Sequence, residues 1–165
     1  MPRLGNFLVC EKLITDQQGK PSLISLFQKM GAFIPEGQAI PKEVLAMTPW
    51  STFCEWFFTD DELTRTFVQH LEVLLPDGTP SPVRASLALK DMTRNGQGTR
   101  AFVNIVGMPV AQAGFITVNV WLEENSERVT EVYPYRIQIE HTSQQPTPKD
   151  GGTVVHAVVP GQRPN

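Results

Sequence analysis

The three histidines, His70, His141 and His156, are the first candidates for metal or acid–base chemistry. None stands in an HxH, HxxxH or HExxH pattern, the spacings that turn two imidazoles toward one zinc ion. His70 is expected on the solvent face of a strand, and His141 and His156 at or in a C-terminal tail. Asp60-Asp61-Glu62, with Asp16, Asp77 or Asp91 from other loops, supplies the hard oxygen ligands that calcium takes. The DxDxDG spacing is missing, so a solvated acidic turn is the plainer reading. Cys10 and Cys54 sit in strand-like runs with no catalytic signature around them, and are expected to be buried free thiols. No serine has a GxSxG context. Asn95-Gly96-Gln97-Gly98 joins two strands instead of opening a helix, which makes it a hairpin turn and not a phosphate cradle. No carboxylate pair is spaced in a way that argues for glycoside hydrolysis. The expectation is no catalytic, cofactor-binding or metal residue, and no enzyme; a site assembled from loops is the competing class.

The elements that position these residues all read as strands. Asn6 to Thr15 and Ser22 to Phe33 flank a polar turn, Asp16 to Pro21, as a β-hairpin, and Gly31 marks a bulge or bend. Loop is expected through Pro41 and Pro49, with one helical turn at Pro41 to Leu45. Trp50 to Phe58 is aromatic, with Cys54, Trp56 and Phe58 on one face. From Leu63 to Leu75, Phe67, Leu71, Val73 and Leu75 alternate with Thr66, His70 and Glu72. Pro76-Asp77-Gly78-Thr79-Pro80 is a turn in which proline presets φ and glycine supplies a positive φ. Val83, Ala85, Leu87 and Leu89 alternate with Arg84, Ser86 and Lys90. Arg100 to Val106 is the next strand, ended by Gly107-Met108-Pro109. Ile116, Val118, Val120 and Leu122 point inward from a strand whose other face carries Phe115, Thr117, Asn119 and Trp121. Glu124-Asn125-Ser126-Glu127 is a tight turn, and Arg128 to Glu140 the last strand, at an edge or bulged because of Pro134.

The chain of 165 residues has 14 prolines, 12 glycines and no helical period lasting three turns. This predicts an all-β domain over residues 1–141, an antiparallel β-sandwich of about eight strands, with a closed up-and-down barrel as the alternative. Residues 142–165 are rich in proline, glycine and glutamine and read as a flexible tail. Inside it, Thr153 to Val159 is an apolar strand-like segment able to add to a sheet edge in this chain or a neighbouring one. A net charge of −3 argues against nucleic acid, and no apolar run approaches the ~20 residues of a membrane helix. The N-terminus lacks the apolar core of a secretory signal, and a cytoplasmic location is expected.

The motifs Leu8-Val9-Cys10-Glu11 and Gly19-Lys20-Pro21-Ser22-Leu23-Ile24-Ser25-Leu26-Phe27 carry a likeness. With Leu74-Leu75-Pro76-Asp77-Gly78 and Ala113-Gly114-Phe115-Ile116-Thr117-Val118, the chain resembles a family of small bacterial all-β proteins. Those begin with an "LLCD"-like run and a "GK-SLIG" hairpin. Glu11 and Ser25 depart from the aspartate and glycine common there. The resemblance implies a compact antiparallel sandwich and carries over no catalytic residue.

With no catalytic constellation, the expected function is a non-catalytic interaction module that binds a protein partner or itself. Its candidate contact residues are Phe115 and Trp121 on the sheet face, and Val154, Val155 and Val158 in the tail. The alternative is a sandwich that binds carbohydrate or another small molecule, with Trp50, Trp56 or Trp121 as stacking platforms. No cofactor is implied.

Overall fold

The computed structural model describes residues 1–18, 20–34, 40, 41, 44–89, 98–143 and 154–156. Their strands are β1 (Arg3–Thr15), β2 (Pro21–Leu26), β3 (Lys29–Phe33), β4 (Leu45–Phe57), β5 (Val68–Leu74), β6 (Pro80–Ala88), β7 (Thr99–Pro109), β8 (Gly114–Glu124), β9 (Glu127–Arg128), β10 (Tyr133–Thr142) and β11 (Val154–His156). A four-stranded sheet runs β2-β1-β4-β7. The other sheet, curled into a half-barrel, runs β11-β3-β10-β8-β5-β6, with β9 pairing β8. The fold is all-β, and the strand order is not sequential, so the sheets do not form an up-and-down barrel.

The alternations place the core. Ile116, Val118, Val120 and Leu122 all face inward and are fully buried. They meet Leu71 and Val73 of β5 and Ile137 and Ile139 of β10 from the same sheet. The four-stranded sheet contributes Val9, Trp50, Cys54 and Trp56 from its inner face. Burial drives both cysteine thiols to higher pKa, and both are free, as buried inert thiols should be. The turn at 76–80 forms as its residues dictate: Gly78 has φ +81°, and Asp77 Oδ1 accepts from the Thr79 N–H at 3.0 Å. Asn125 and Ser126 both have positive φ, the pattern that matches a tight hairpin to strand twist.

Several expectations change. The run Ser22 to Phe33 is two strands. The chain leaves the small sheet after Leu26, with Ser25 at φ +53°, and enters the other sheet as β3. No hairpin dictates the direction of β3, and it pairs parallel with β10 and with β11 in an otherwise antiparallel fold. Its register with β10 runs without a slip through Gly31, so no bulge stands there. Pro49 lies inside β4, where a register shift between Ala46 and Pro49 accommodates its missing N–H. Val44 N donates to Pro41 O at 3.1 Å, but Lys42 and Glu43 of the expected helical turn lie outside the described residues.

Gly107-Met108-Pro109 does not end a strand. β7 continues through it with Gly107 at φ +103°, where a Cβ would stand 3.0 Å from Leu45 Cδ1. β5 starts later than expected, at Val68, because residues 60–64 form a turn. Pro134 is in an interior strand, yet β3 pairs β10 only from Gln138 onward, so the proline sits where one side of β10 has no ladder. The Asn95–Gly98 turn lies outside the described residues except for Gly98.

Candidate interaction surfaces

Phe115 and Trp121 share the outer face of β8 but not a patch. Six residues of extended chain put them about 20 Å apart. Phe115 is 55% exposed. Trp121 is half-buried: its ring stacks on the His70 imidazole at 5.5 Å and 14°, and its indole N–H donates to Glu123 Oε1 at 3.0 Å. Val154 and Val155 lie in β11, opposite Gly31 and Ala32 of β3. Val158 lies outside the described residues. Of the three tryptophans expected as stacking platforms, Trp50 and Trp56 are buried, 1% and 0% exposed, because β4 turns both toward the core. Trp121 offers a single free face at most, the other being covered by His70.

The acidic trio does not converge. Asp60 and Asp61 stay exposed on the turn, and a Thr59 hydrogen bond is the main cause holding the Asp61 carboxyl below its ordinary value. Glu62 folds inward to 1% exposure. Its Oε2 accepts from the Thr59 N–H at 2.9 Å, and its Oε1 lies 2.7 Å from the Met1 ammonium. Burial alone would raise the Glu62 pKa; the ammonium and the Thr59 N–H outweigh it, and the net direction is down. Among the described residues no group of three or more histidines, cysteines or acids is placed to hold a metal.

A carboxylate with a depressed folded-state pKa binds its proton less readily folded than unfolded. Its stabilisation is complete above the unfolded value of about 4.3 and is lost as pH falls through the folded value. Glu62→Gln is therefore expected to lower stability at pH 7 by about 1.5–3 kcal/mol, the range for hydrogen bonds to a charged group. The gap between parent and variant in urea unfolding should close on acidification from pH 5 toward pH 2. A gap that widens in acid would contradict this account.

The surface that sequence reasoning missed is on the small sheet. Pairing of β1 with β4 ends at Cys10 opposite Ser51. Beyond it β1 continues with β2, and β4 with β7, so the two pairs splay apart. The groove between them, about 580 Å³, is lined by Lys12, Leu13, Ile24, Pro49, Trp50 and Val106 among others. Ser51 Oγ donates to Asn104 Oδ1 at 2.7 Å along its wall. Of its lining residues Ile24 (42%) and Val106 (62%) are exposed, and on the same face of the β1–β2 pair so are Ile14 (44%) and Leu26 (48%). Alternation could have found the apolar half of this face, since Ile24 and Leu26 share a parity. It could not show that β1 parts from β4.

No helix among the described residues is long and apolar enough to cross a membrane. No protein-family model matches the chain, and no curated protein matches its sequence.

Proposed function

We propose that the protein is a cytoplasmic interaction module that associates with a second copy of itself. The observation that carries this is the pair of exposed apolar residues lining the splayed groove, Ile24 and Val106, with Ile14 and Leu26 exposed on the same face of the β1–β2 pair. Exposed apolar residues collected at one concave place mark an interaction surface. A self-complementary patch meets its copy across a two-fold axis without needing a separate partner, and homodimer interfaces are more apolar than most. The resemblance to small bacterial all-β proteins fits this reading. Its motif residues fall mostly on β1, β2, β8 and the end of β5 with the turn at 76–78.

A second route to self-association is favoured by β11. Three residues on a sheet edge form a short strand that could pair with β3 of another copy in the same register. Light scattering after size exclusion separates the routes. The full chain at about 100 μM is expected to be a dimer, at a concentration where a micromolar Kd would be saturated. Ile24→Asp with Val106→Asp should give a monomer, and a chain ending at Thr142 should remain dimeric. A monomeric truncation with a dimeric Asp variant would assign the interface to β11. A monomeric parent would overturn self-association.

A further inference from the structure

The register of β6, β5 and β8 creates one arrangement that no local spacing announces. Ser86 pairs His70, and His70 pairs Trp121, so the three side chains form a row on the outer face of the half-barrel sheet. Ser86 Oγ lies 3.0 Å from His70 Nδ1, and His70 Nε2 lies 3.1 Å from Glu123 Oε2. One protonation pattern satisfies both contacts: the serine hydroxyl donates to Nδ1, and the Nε2–H donates to the carboxylate. The carboxylate is held at its other oxygen by the Trp121 indole N–H, and the Trp121 ring lies flat against the imidazole. The base is thus fixed in position by a stacked ring and in rotation by two hydrogen bonds. A concavity of about 230 Å³ opens over these groups, lined by His70, Glu72, Arg84, Ser86 and Trp121 with Leu71 and Ala85. His70 and Glu123 are about one-quarter exposed. Ser86 is exposed, so a reagent can reach its hydroxyl.

We propose that Ser86 is a nucleophile toward small activated acyl esters, with His70 as its general base and Glu123 as the positioning residue for His70. A nucleophile, a base within hydrogen-bond reach and a third group that orients the base are the requirements for such activation, and they are recognised by geometry and not by chain order. As Ser86 Oγ bonds to the acyl carbon, its proton passes to Nδ1, and Glu123 stabilises the imidazolium. Arg84, on the same strand and lining the same concavity, provides the positive charge toward which the developing oxyanion is drawn. The carbon–oxygen bond to the leaving alcohol then breaks, and that alcohol carries away the proton from His70. Water then bonds to the acyl carbon as its proton passes to His70, the bond from that carbon to Ser86 Oγ breaks, His70 returns the proton to Ser86, and the carboxylic acid leaves. The volume of the concavity suits a short acyl chain or a phenyl group.

The test is covalent labelling of the full chain with an alkyl fluorophosphonate, read by intact mass and peptide mapping. The burst of nitrophenol from p-nitrophenyl acetate is followed in parallel. A single adduct on Ser86 is expected. It should be absent in Ser86→Ala and formed about a hundredfold more slowly in His70→Gln, within the range for losing a general base. Glu123→Gln keeps an acceptor for Trp121 and should slow labelling less than His70→Gln does. These positions are on the surface, and unchanged circular dichroism will show that the variants fold. Absence of a Ser86 adduct in the parent overturns the proposal. So does a Ser86 adduct whose rate is indifferent to His70→Gln. Neither result touches self-association, which rests on the groove of the small sheet or on the β11 edge.

Discussion

Trp56→Ala is expected to remove about 3–5 kcal/mol of stability, the range for truncating a large buried aromatic. Trp56 is fully buried, its ring meets Tyr133 edge-on at 5.8 Å, and its cluster includes Cys54, Phe67, Leu89, Val120 and Leu122. Its indole N–H also donates to Gln69 Oε1 at 2.7 Å, and Gln69 is itself 1% exposed. Truncation therefore leaves a cavity and a buried amide oxygen without a donor. At this chain length each kcal/mol moves the melting temperature by about 2–4 °C, so a fall of about 6–20 °C should appear in a thermal melt. Trp56→Phe separates the two losses. It retains most of the ring and should lose about 1–3 kcal/mol, the penalty for an unsatisfied buried acceptor. A loss under about 1 kcal/mol for Trp56→Ala would contradict the packing described.

Trp50→Ala should be of similar size, about 3–5 kcal/mol, in the other core cluster. Trp50 packs with Val9, Met30, Val73, Met108 and Ile137, and its indole N–H donates to the Gly107 carbonyl at 3.0 Å. It also lines the groove, so the truncated chain should lose self-association together with stability. Trp50 and Trp56 are six residues apart on one strand, about 20 Å, with no hydrogen-bond partner in common. At that separation their effects should add. The sum, about 6–10 kcal/mol, equals much of the ordinary stability of a domain, and the double variant is expected to be largely unfolded at 25 °C without denaturant. A clearly sub-additive sum in urea titration would mean that the two clusters relax as one.

These tryptophans show why function was less legible than fold. Both stood in an aromatic strand, and the one-face expectation for Cys54, Trp56 and Phe58 agrees with their packing. Trp50 was open to reading as a platform because its phase is hidden in the sequence by Pro49 and the register shift beside it. Gln69 reads as polar and hence outward, yet it shares the parity of Leu71 and Val73 and is buried, where Trp56 supplies its partner. Trp56 satisfies only the Gln69 Oε1, while the buried Gln69 Nε2 has no partner among the described residues, and sequence carries no sign of either.

The sequence by itself determined the class of fold, the alternation of β5, β6 and β8, and the turns at 76–80 and 124–127. Each depends on neighbours within a few residues: two-residue periodicity selects a face, and proline, glycine and asparagine select backbone angles. Only the tertiary structure decided that β3 enters the second sheet in parallel, that β1 parts from β4 to open a groove, and that Ser86, His70 and Glu123 meet. Those outcomes follow from strand order and register, which depend on how two whole sheets bury their apolar faces against each other. A shift of one residue in the β5–β6 pairing would leave every local pattern in the sequence intact and carry Ser86 away from His70.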